Sequence, residues 1–181
     1  GAGSNILAGD ITSGGNIALA RGTILTGDVA IVTTNASGTI DLAGVNSDGA
    51  GAAKSLLLRS PGALIIDGAI GGTQALGTIW IEAAGVSQGV QTTGADGPII
   101  SNTGFAVKAA KLAITSSGLV DLIHPDNIVP LIAAAISSDA GYRFTNYSSG
   151  GVTIDTIGNT DTASAVVRMT RLPGKSSRAM A

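Results

Sequence analysis

Few residues in this chain are of a type that could carry out acid–base or nucleophilic chemistry. The sequence contains one histidine, one glutamate and no cysteine. The histidine stands in Leu122-Ile123-His124-Pro125-Asp126, and a histidine beside a carboxylate can transfer protons near neutral pH. Because the sequence offers no second histidine and no nearby nucleophile, we interpret His124 as a residue of a surface turn. We predict no catalytic residue.

The aspartates offer a second route to chemistry. Stacked strands could bring two carboxylates together, as in enzymes that cleave polysaccharides with a carboxylate pair. Most of these aspartates stand beside glycine or threonine, where a role in a turn explains them. The ones spread along the chain are Asp10, Asp28, Asp41, Asp67, Asp121 and Asp155.

Motifs for metal ions and cofactors are missing from the sequence. Calcium-binding repeats read G-G-x-G-x-D, and the three Gly-Gly pairs at 14–15, 71–72 and 150–151 lack the following G-x-D. There is also no glycine-rich phosphate-binding loop ending in Gly-Lys-Ser/Thr. We therefore predict no metal site and no bound cofactor.

Three aromatic side chains are candidates for surface contacts. Trp80 alternates with Ile79 and Ile81, so it points outward if those two isoleucines point into a core. Tyr142 and Tyr147 are the other two candidates. Exposed aromatic rings bind sugars and proteins, although a ring can also pack under a loop.

The elements that would position these side chains are short strands closed by glycine. The stretch 77–85, GTIWIEAAG, is the clearest of them, and GTILTG, GTIDLAG and GVTIDT look like imperfect copies. Ile17 and Leu19 alternate with Ala18 and Ala20, a period of two that is typical of strands. The break Ser60-Pro61-Gly62 predicts separate strands at 55–59 and 63–66, and 44–54 is predicted to be a loop.

The strand pattern recurs along the chain. Comparable stretches contain Ile17, Ile40, Ile79 and Ile99, and a further strand cluster around 56–58 divides the longest interval. The recurrence has a period of about 20 residues with one long loop, which is typical of solenoids. Leucine-rich repeats are excluded by the missing leucine frame, and helical repeats by the lack of helical patterns. The pattern predicts an all-β parallel β-helix with roughly 20 residues per coil.

The composition agrees with a slim interior. Hydrophobic residues make up 44% of the 181 residues but aromatic residues only 3%, and there are 27 glycines. Ile, Leu, Val and Ala would fill the interior while glycine turns the corners. An antiparallel sandwich or barrel is the rival fold. Within 126–137, a helix beginning after Asp126 competes with a strand at Leu131–Ile136.

Charge and hydropathy exclude some partners. The net charge is −2 and no basic face is apparent, so we expect no nucleic-acid partner. No apolar run approaches the roughly 18 residues needed to span a bilayer.

We predict a β-helix over residues 1–162 and a basic polar linker or terminal segment over 163–181. The chain also reads as a fragment of something longer.

Residues 5–45 and 63–85, with NIALA, GTIDLAG and GTIWIEAAG, resemble the repeats of filamentous haemagglutinin-like bacterial surface exoproteins. The stretches AGYRFTN at 140–146 and GVTIDTIG at 151–158 resemble them too. The resemblance implies a right-handed β-helical shaft, export through an outer-membrane transporter by two-partner or autotransporter-type secretion, and an extracellular place at the cell surface. Residues 86–98, 126–137 and the basic end depart from the repeat.

The leading hypothesis for function is therefore a structural and adhesive shaft that presents loops to a receptor or glycan on host or other cells. The first alternative is a carbohydrate-active β-helix enzyme, a lyase or hydrolase of polysaccharides. A binding module of the phage-fibre or ice-binding kind is a third hypothesis, although the threonines before isoleucine recur too irregularly to form a flat array.

Overall fold

In the computed structural model, the described residues are 3–89, 91–93, 99–102, 105–137 and 141–155, with only the backbone described for 91–93 and 99–102. They form sixteen strands and no helix. The strands are β1 Asn5–Leu7, β2 Ile11–Ser13, β3 Ile17–Leu19, β4 Thr23–Leu25, β5 Val29–Thr33, β6 Ile40–Leu42, β7 Val45–Ser47, β8 Leu56–Ile66, β9 Leu76–Gln88, β10 Gln91–Thr93, β11 Ile99–Asn102, β12 Ala109–Ser116, β13 Val120–Leu122, β14 Leu131–Ile136, β15 Tyr142–Phe144 and β16 Thr153–Ile154. The part predicted as a basic linker, 163–181, lies outside the described residues.

Strands that are distant in sequence pair in parallel and form three rows. The first row is β1, β4 and β7. The second row is β2, β5, the start of β8, the start of β9, β12, β14 and β16. The third row is β3, β6, the end of β8, the end of β9, β13 and β15. Side-chain hydrogen bonds also join paired strands, as in Asn5 with Thr23 and Arg59 with Glu82.

The rows are in register, so like side chains stack on like. In the second row, one interior ladder runs Val29, Leu56, Ile79, Leu112, Ile132 and the next runs Ile31, Leu58, Ile81, Ile114, Ala134. Alternation along each strand sends these side chains to one side, and in β5 the exposure alternates accordingly. The ladders merge into one buried core of aliphatic side chains. The prediction of an all-β chain is confirmed, and the described pairing is parallel except for β10 with β11.

Glycine permits close contact between successive strands at particular corners. A Cβ on Gly68 would lie 1.5 Å from the carbonyl oxygen of Ala43, far inside van der Waals contact. Gly71 adopts φ of +69°, which other L-residues rarely adopt, and a Cβ there would meet the carbonyl oxygen of Lys108. These corners are therefore closed by backbone against backbone, which explains the glycines at these two positions.

Several boundaries differ from the sequence-based predictions. The predicted break at Ser60-Pro61-Gly62 is an irregularity inside one strand, β8, because both halves continue pairing with β9. Residues 45–47, predicted to be part of a loop, form β7, and 11–13 form β2. Within 126–137 the structure has the strand β14, Leu131–Ile136, and not the helix. Its apolar residues lie in parallel register with β12, which satisfies its backbone without a helix.

The isoleucine recurrence was only partly right. Ile17 and Ile40 are register partners in the third row. Ile79 lies in the second row opposite Leu56, and Ile99 begins β11, which pairs antiparallel with β10. A period read from one residue type therefore mixed two rows, because each recurrence contributes more than one strand with an inward isoleucine.

Candidate functional site

An inserted segment lengthens the chain between β9 and β12, which pair directly in parallel. Leu76 pairs with Ala109, which is 33 residues further along the chain, whereas Lys111 pairs with Leu131, which is 20 residues further along. The chain between β9 and β12 is therefore longer than the chain between β12 and β14. Within the longer interval, β10 and β11 form a separate two-stranded antiparallel sheet. We call 89–105 the insert. It begins at residue 89, close to the start of the 86–98 stretch whose sequence departs from the repeat.

Two buried side-chain amides lie at the base of the insert. Gln88 and Asn127 are both 0% exposed. Gln88 Nε2 donates to Asn127 Oδ1 at 2.7 Å, and Asn127 Nδ2 donates to Gln88 Oε1 at 3.3 Å. We call this pair the amide clasp. Gln88 occupies an interior position of the third row, next to Ile66, where the preceding recurrences have Leu19 and Leu42.

The clasp also binds the backbone at the end of the insert. Gln88 Nε2 donates to the carbonyl of Phe105 at 2.7 Å, and the Val107 N–H donates to Asn127 Oδ1 at 2.8 Å. The other two contacts reach the end of β13 and the turn that follows it. The His124 N–H donates to Gln88 Oε1 and Asn127 Nδ2 donates to the carbonyl of Leu122, both at 3.0 Å.

Every hydrogen-bonding group of the two amides has a partner. The four side-chain N–H donors are all used, and each of the two oxygens accepts two bonds. A satisfied buried network of this kind fixes a single arrangement, because each misplaced group would be left unpaired at low dielectric. The start and the end of the insert are therefore tied to one rigid point of the parallel rows.

Trp80, predicted to contact partners at the surface, is only 4% exposed. It lies in a cluster separate from the main core, with Ala113 and Ala133. Register explains the grouping, because Trp80 pairs with both Leu57 and Ala113. Trp80 and its neighbours Ile79 and Ile81 thus belong to different clusters, as alternation predicts, but the prediction of an exposed ring was wrong.

The two tyrosines have different outcomes. Tyr142 continues an interior ladder of the third row, packs against the main core and stacks on Phe144 with ring centroids 6.2 Å apart. Burial raises the pKa of its hydroxyl well above the usual value. Its side chain is partly buried because its register position points inward, and its role as a surface contact stays a prediction. Tyr147 is 77% exposed and stays a candidate contact.

An ion pair with a buried carboxylate and an exposed arginine lies on the other face of the third row. Asp121 has 1% of its side chain exposed and Arg143 has 43%. Arg143 Nη2 donates to Asp121 Oδ2, and the two residues are register partners on β13 and β15. Asp121 Oδ1 is buried without a partner among the described residues. The pair joins β13 and β15, the last strands of this row. Because the side chain of Asp121 is buried, it is not accessible as a catalytic carboxylate.

The next residues that could take part in acid–base chemistry are His124 and the aspartates Asp41 and Asp67. His124 Nδ1 accepts from the Asp126 N–H at 3.2 Å, which is the geometry of a turn. The pKa of Asp41 is raised by partial burial and then by the nearby charge of Asp67. Within the described ranges, no three His, Cys, Asp or Glu side chains are grouped to hold a metal ion.

Sequence reasoning missed Gln88 and Asn127, the residues that organise the insert. Asn127 stands in a turn-like context, and only the interior register of Gln88 would have signalled it. Comparisons found no protein-family model, no curated protein and no solved structure that matches this chain. In the portion of the chain that the structure describes, no helix has the length and apolarity to cross a membrane.

Proposed function

We propose that this chain is a segment of a right-handed parallel β-helical shaft, with roughly 20 residues per coil. The shaft belongs to a large exported bacterial surface protein, and its insert is the loop presented for attachment to host or other cells. The observation that carries the proposal is the in-register parallel stacking of three rows, together with the separate antiparallel β10–β11 sheet that the chain forms above the amide clasp between β9 and β12.

Stacked rows of this kind make a stiff body. Each strand in the middle of a row bonds to the strands before and after it, and aliphatic ladders fill the interior between the rows. Such stacking gives an elongated body whose outer face carries the loops. A two-stranded sheet is marginally stable in isolation, so an insert anchored on a buried network is suited to being displayed from that body. The resemblance of residues 5–45 and 63–85 to filamentous haemagglutinin-like repeats supports the place at the cell surface and export through an outer-membrane transporter.

The experiment replaces residues 90–104 with a short Gly-Ser linker in the full exported protein. We expect surface display to remain and attachment to cells to fall at least about tenfold, since the clasp residues and the rows are kept. A matched control replaces the exposed turn 148–151 with the same linker. Unchanged attachment after loss of the insert would remove its proposed role. An experimental map with left-handed coils or separate facing sheets would remove the shaft.

A carbohydrate-active enzyme is the second candidate, and one observation favours it. Burial and, second, the charge of Asp67 raise the pKa of Asp41, and two neighbouring carboxyl groups are the arrangement that glycoside-cleaving enzymes use. The test incubates the protein with acidic polysaccharides and compares Asp41→Asn. Cleavage that disappears in the variant would support an enzyme, and no cleavage by either protein would exclude this site.

A further inference from the structure

A polar cleft of about 300 Å³ opens on the first row. It is lined by four successive recurrences of the chain. The first contributes Ser4, the second contributes 22–24, the third contributes 46–48, and the fourth contributes Thr73 and Gln74. The cleft thus lies over the paired strands β4 and β7 and beside the bend that contains Thr73 and Gln74, which is hydrogen-bonded to β7.

Backbone bonds hold the cleft walls together. Asn46 Oδ1 accepts from the N–H groups of Thr73 at 2.8 Å and Gln74 at 3.3 Å. The Ser47 N–H donates to the carbonyl of Gln74 at 3.2 Å. Gly49, with φ of +75°, leaves room for the Gln74 side chain, whose Cδ would lie 3.3 Å from a Cβ there. Asn46 therefore fixes the position of Thr73 and Gln74.

Several polar groups of the lining are unused within the described residues. Thr73 and Gln74 are exposed, and neither the hydroxyl of Thr73 nor the side-chain amide of Gln74 forms a hydrogen bond with the described part of the chain. Ile24, half-buried and the register partner of Asn46, adds an apolar patch to the lining. The cleft thus combines donors, acceptors and one apolar surface in a rigid frame.

The charge of the cleft is close to neutral. Asp48 is its charged lining residue, and Lys54 Nζ lies 3.9 Å from Asp48 Oδ1. Asp48 Oδ1 also accepts from the Ala50 N–H, which leaves Oδ2 available to a ligand. A carboxylate already balanced by lysine gives little net attraction to an anion or a cation, but it remains a strong acceptor for neutral hydroxyl groups.

We propose that this cleft binds a neutral saccharide. Vicinal sugar hydroxyls would donate to Asp48 Oδ2, and the amide of Gln74 and the hydroxyl of Thr73 would exchange donor and acceptor roles with neighbouring hydroxyls. The C–H face of the sugar ring would pack on Ile24. This inference relies on the proposed function for its biological meaning, since it names the ligand class of an attachment surface, and on the cleft alone for its chemistry.

The binding experiment uses ¹⁵N-labelled protein and a panel of free sugars. The neutral probes are glucose, galactose, mannose, N-acetylglucosamine and N-acetylgalactosamine, and the charged counterparts are glucuronate and glucosamine. We expect at least one neutral sugar to shift the backbone amide signals of 47–48 and 73–74, with a dissociation constant on the order of 1 mM. The absence of shifts for every neutral sugar at concentrations on the order of 50 mM would overturn the proposal.

Variants locate the binding. Asp48→Asn and Gln74→Ala should each weaken the binding by about tenfold, because each removes a hydrogen bond to the ligand. Lys54→Gln, which keeps the carboxylate, should leave the affinity for a neutral sugar within about twofold. Asp126→Asn, which changes an exposed carboxylate outside the cleft, is the matched control for a lost carboxylate. Equal weakening by Asp126→Asn, or shifts confined to other residues, would contradict the cleft as the site.

A cell assay separates this inference from the proposed function. Asp48→Asn and the insert replacement are introduced separately into the full exported protein. Attachment that depends on the insert but not on Asp48, with no sugar shifts, would overturn the saccharide site and leave the shaft proposal standing. Sugar shifts without any attachment would support the cleft chemistry and contradict the adhesive function.

Discussion

The amide clasp gives the sharpest test of how this chain holds its insert, through the substitution Asn127→Ala. The truncation removes two acceptor contacts and two donor contacts from a site that is 0% exposed. The two acceptor oxygens left behind keep other partners. Gln88 Oε1 still accepts from the His124 N–H, and the carbonyl of Leu122 still accepts from the Thr145 N–H.

The two donors fare differently. One proton on Gln88 Nε2 and the backbone N–H of Val107 lose their acceptor, Asn127 Oδ1. A buried donor without a partner costs about 1–3 kcal/mol. Two such donors, together with the lost packing, give an expected decrease of about 3–5 kcal/mol in the free energy of unfolding, with the lower value if a water molecule enters the vacated space.

Equilibrium unfolding in urea measures this change. Fluorescence of Trp80, the single tryptophan, reports on the second row, and hydrogen exchange at the Val107 amide reports on the clasp itself. The control is Asn35→Ala, which removes an exposed turn residue whose Oδ1 accepts from Ser37. We expect that control to cost under about 1 kcal/mol. A loss in Asn127→Ala no larger than in the control would refute the reasoning.

The substitution Asn127→Asp adds a pH signature to the same test. The introduced carboxylate would face Gln88 Oε1 and the Leu122 carbonyl, so burial and lone-pair repulsion would raise its pKa in the folded state. Folding then favours the protonated form, and the stability lost at neutral pH should return progressively as the pH falls through that raised pKa. An Asn127→Asp variant whose deficit does not shrink on acidification would contradict the donor role assigned to Asn127 Nδ2.

Three further predictions concern other parts of the molecule. Gly68→Ala should destabilise the chain by about 3 kcal/mol, because its Cβ would overlap the Ala43 carbonyl. Gly14→Ala, with open space around its Cβ, should change stability by under about 1 kcal/mol in the same urea assay. Equal effects would exclude close backbone approach as the cause. Asp41→Asn should raise the thermal midpoint at pH 7 and lose that advantage near pH 3. A carboxyl with a raised folded pKa contributes stability that is fully present below its ordinary value of 3.8 and is lost as the pH rises through the folded pKa. A constant difference across that window would be contrary evidence. Tyr142→Phe should raise the free energy of unfolding by about 1 kcal/mol, since the buried hydroxyl has no partner among the described residues. It should also abolish the decline in stability at pH values above the ordinary tyrosine pKa of 10.0. A marked loss of stability would instead indicate a hydrogen bond from that hydroxyl.

The sequence alone determined the local conformation of much of the chain. The alternation of Ile17 and Leu19 with alanine predicted a strand there, and the structure has β3 at that place, because a period of two is a property of neighbouring residues. Glycine placement predicted the corners, since φ above zero and close backbone approach are both met by a residue without a side chain. Strands β2 and β7 were missed because both are very short and owe their conformation to pairing across recurrences.

The tertiary structure decided the direction in which side chains face and what they meet. Trp80 and Tyr142 read alike in sequence as aromatic residues on short strands, yet register places Trp80 beside Ala113 and Ala133 and places Tyr142 at the end of an interior ladder. Gln88 and Asn127 are far apart in sequence, and no local pattern marks them as partners. Hydrogen bonds and burial between recurrences depend on which strands become neighbours, and that is fixed only when the rows stack.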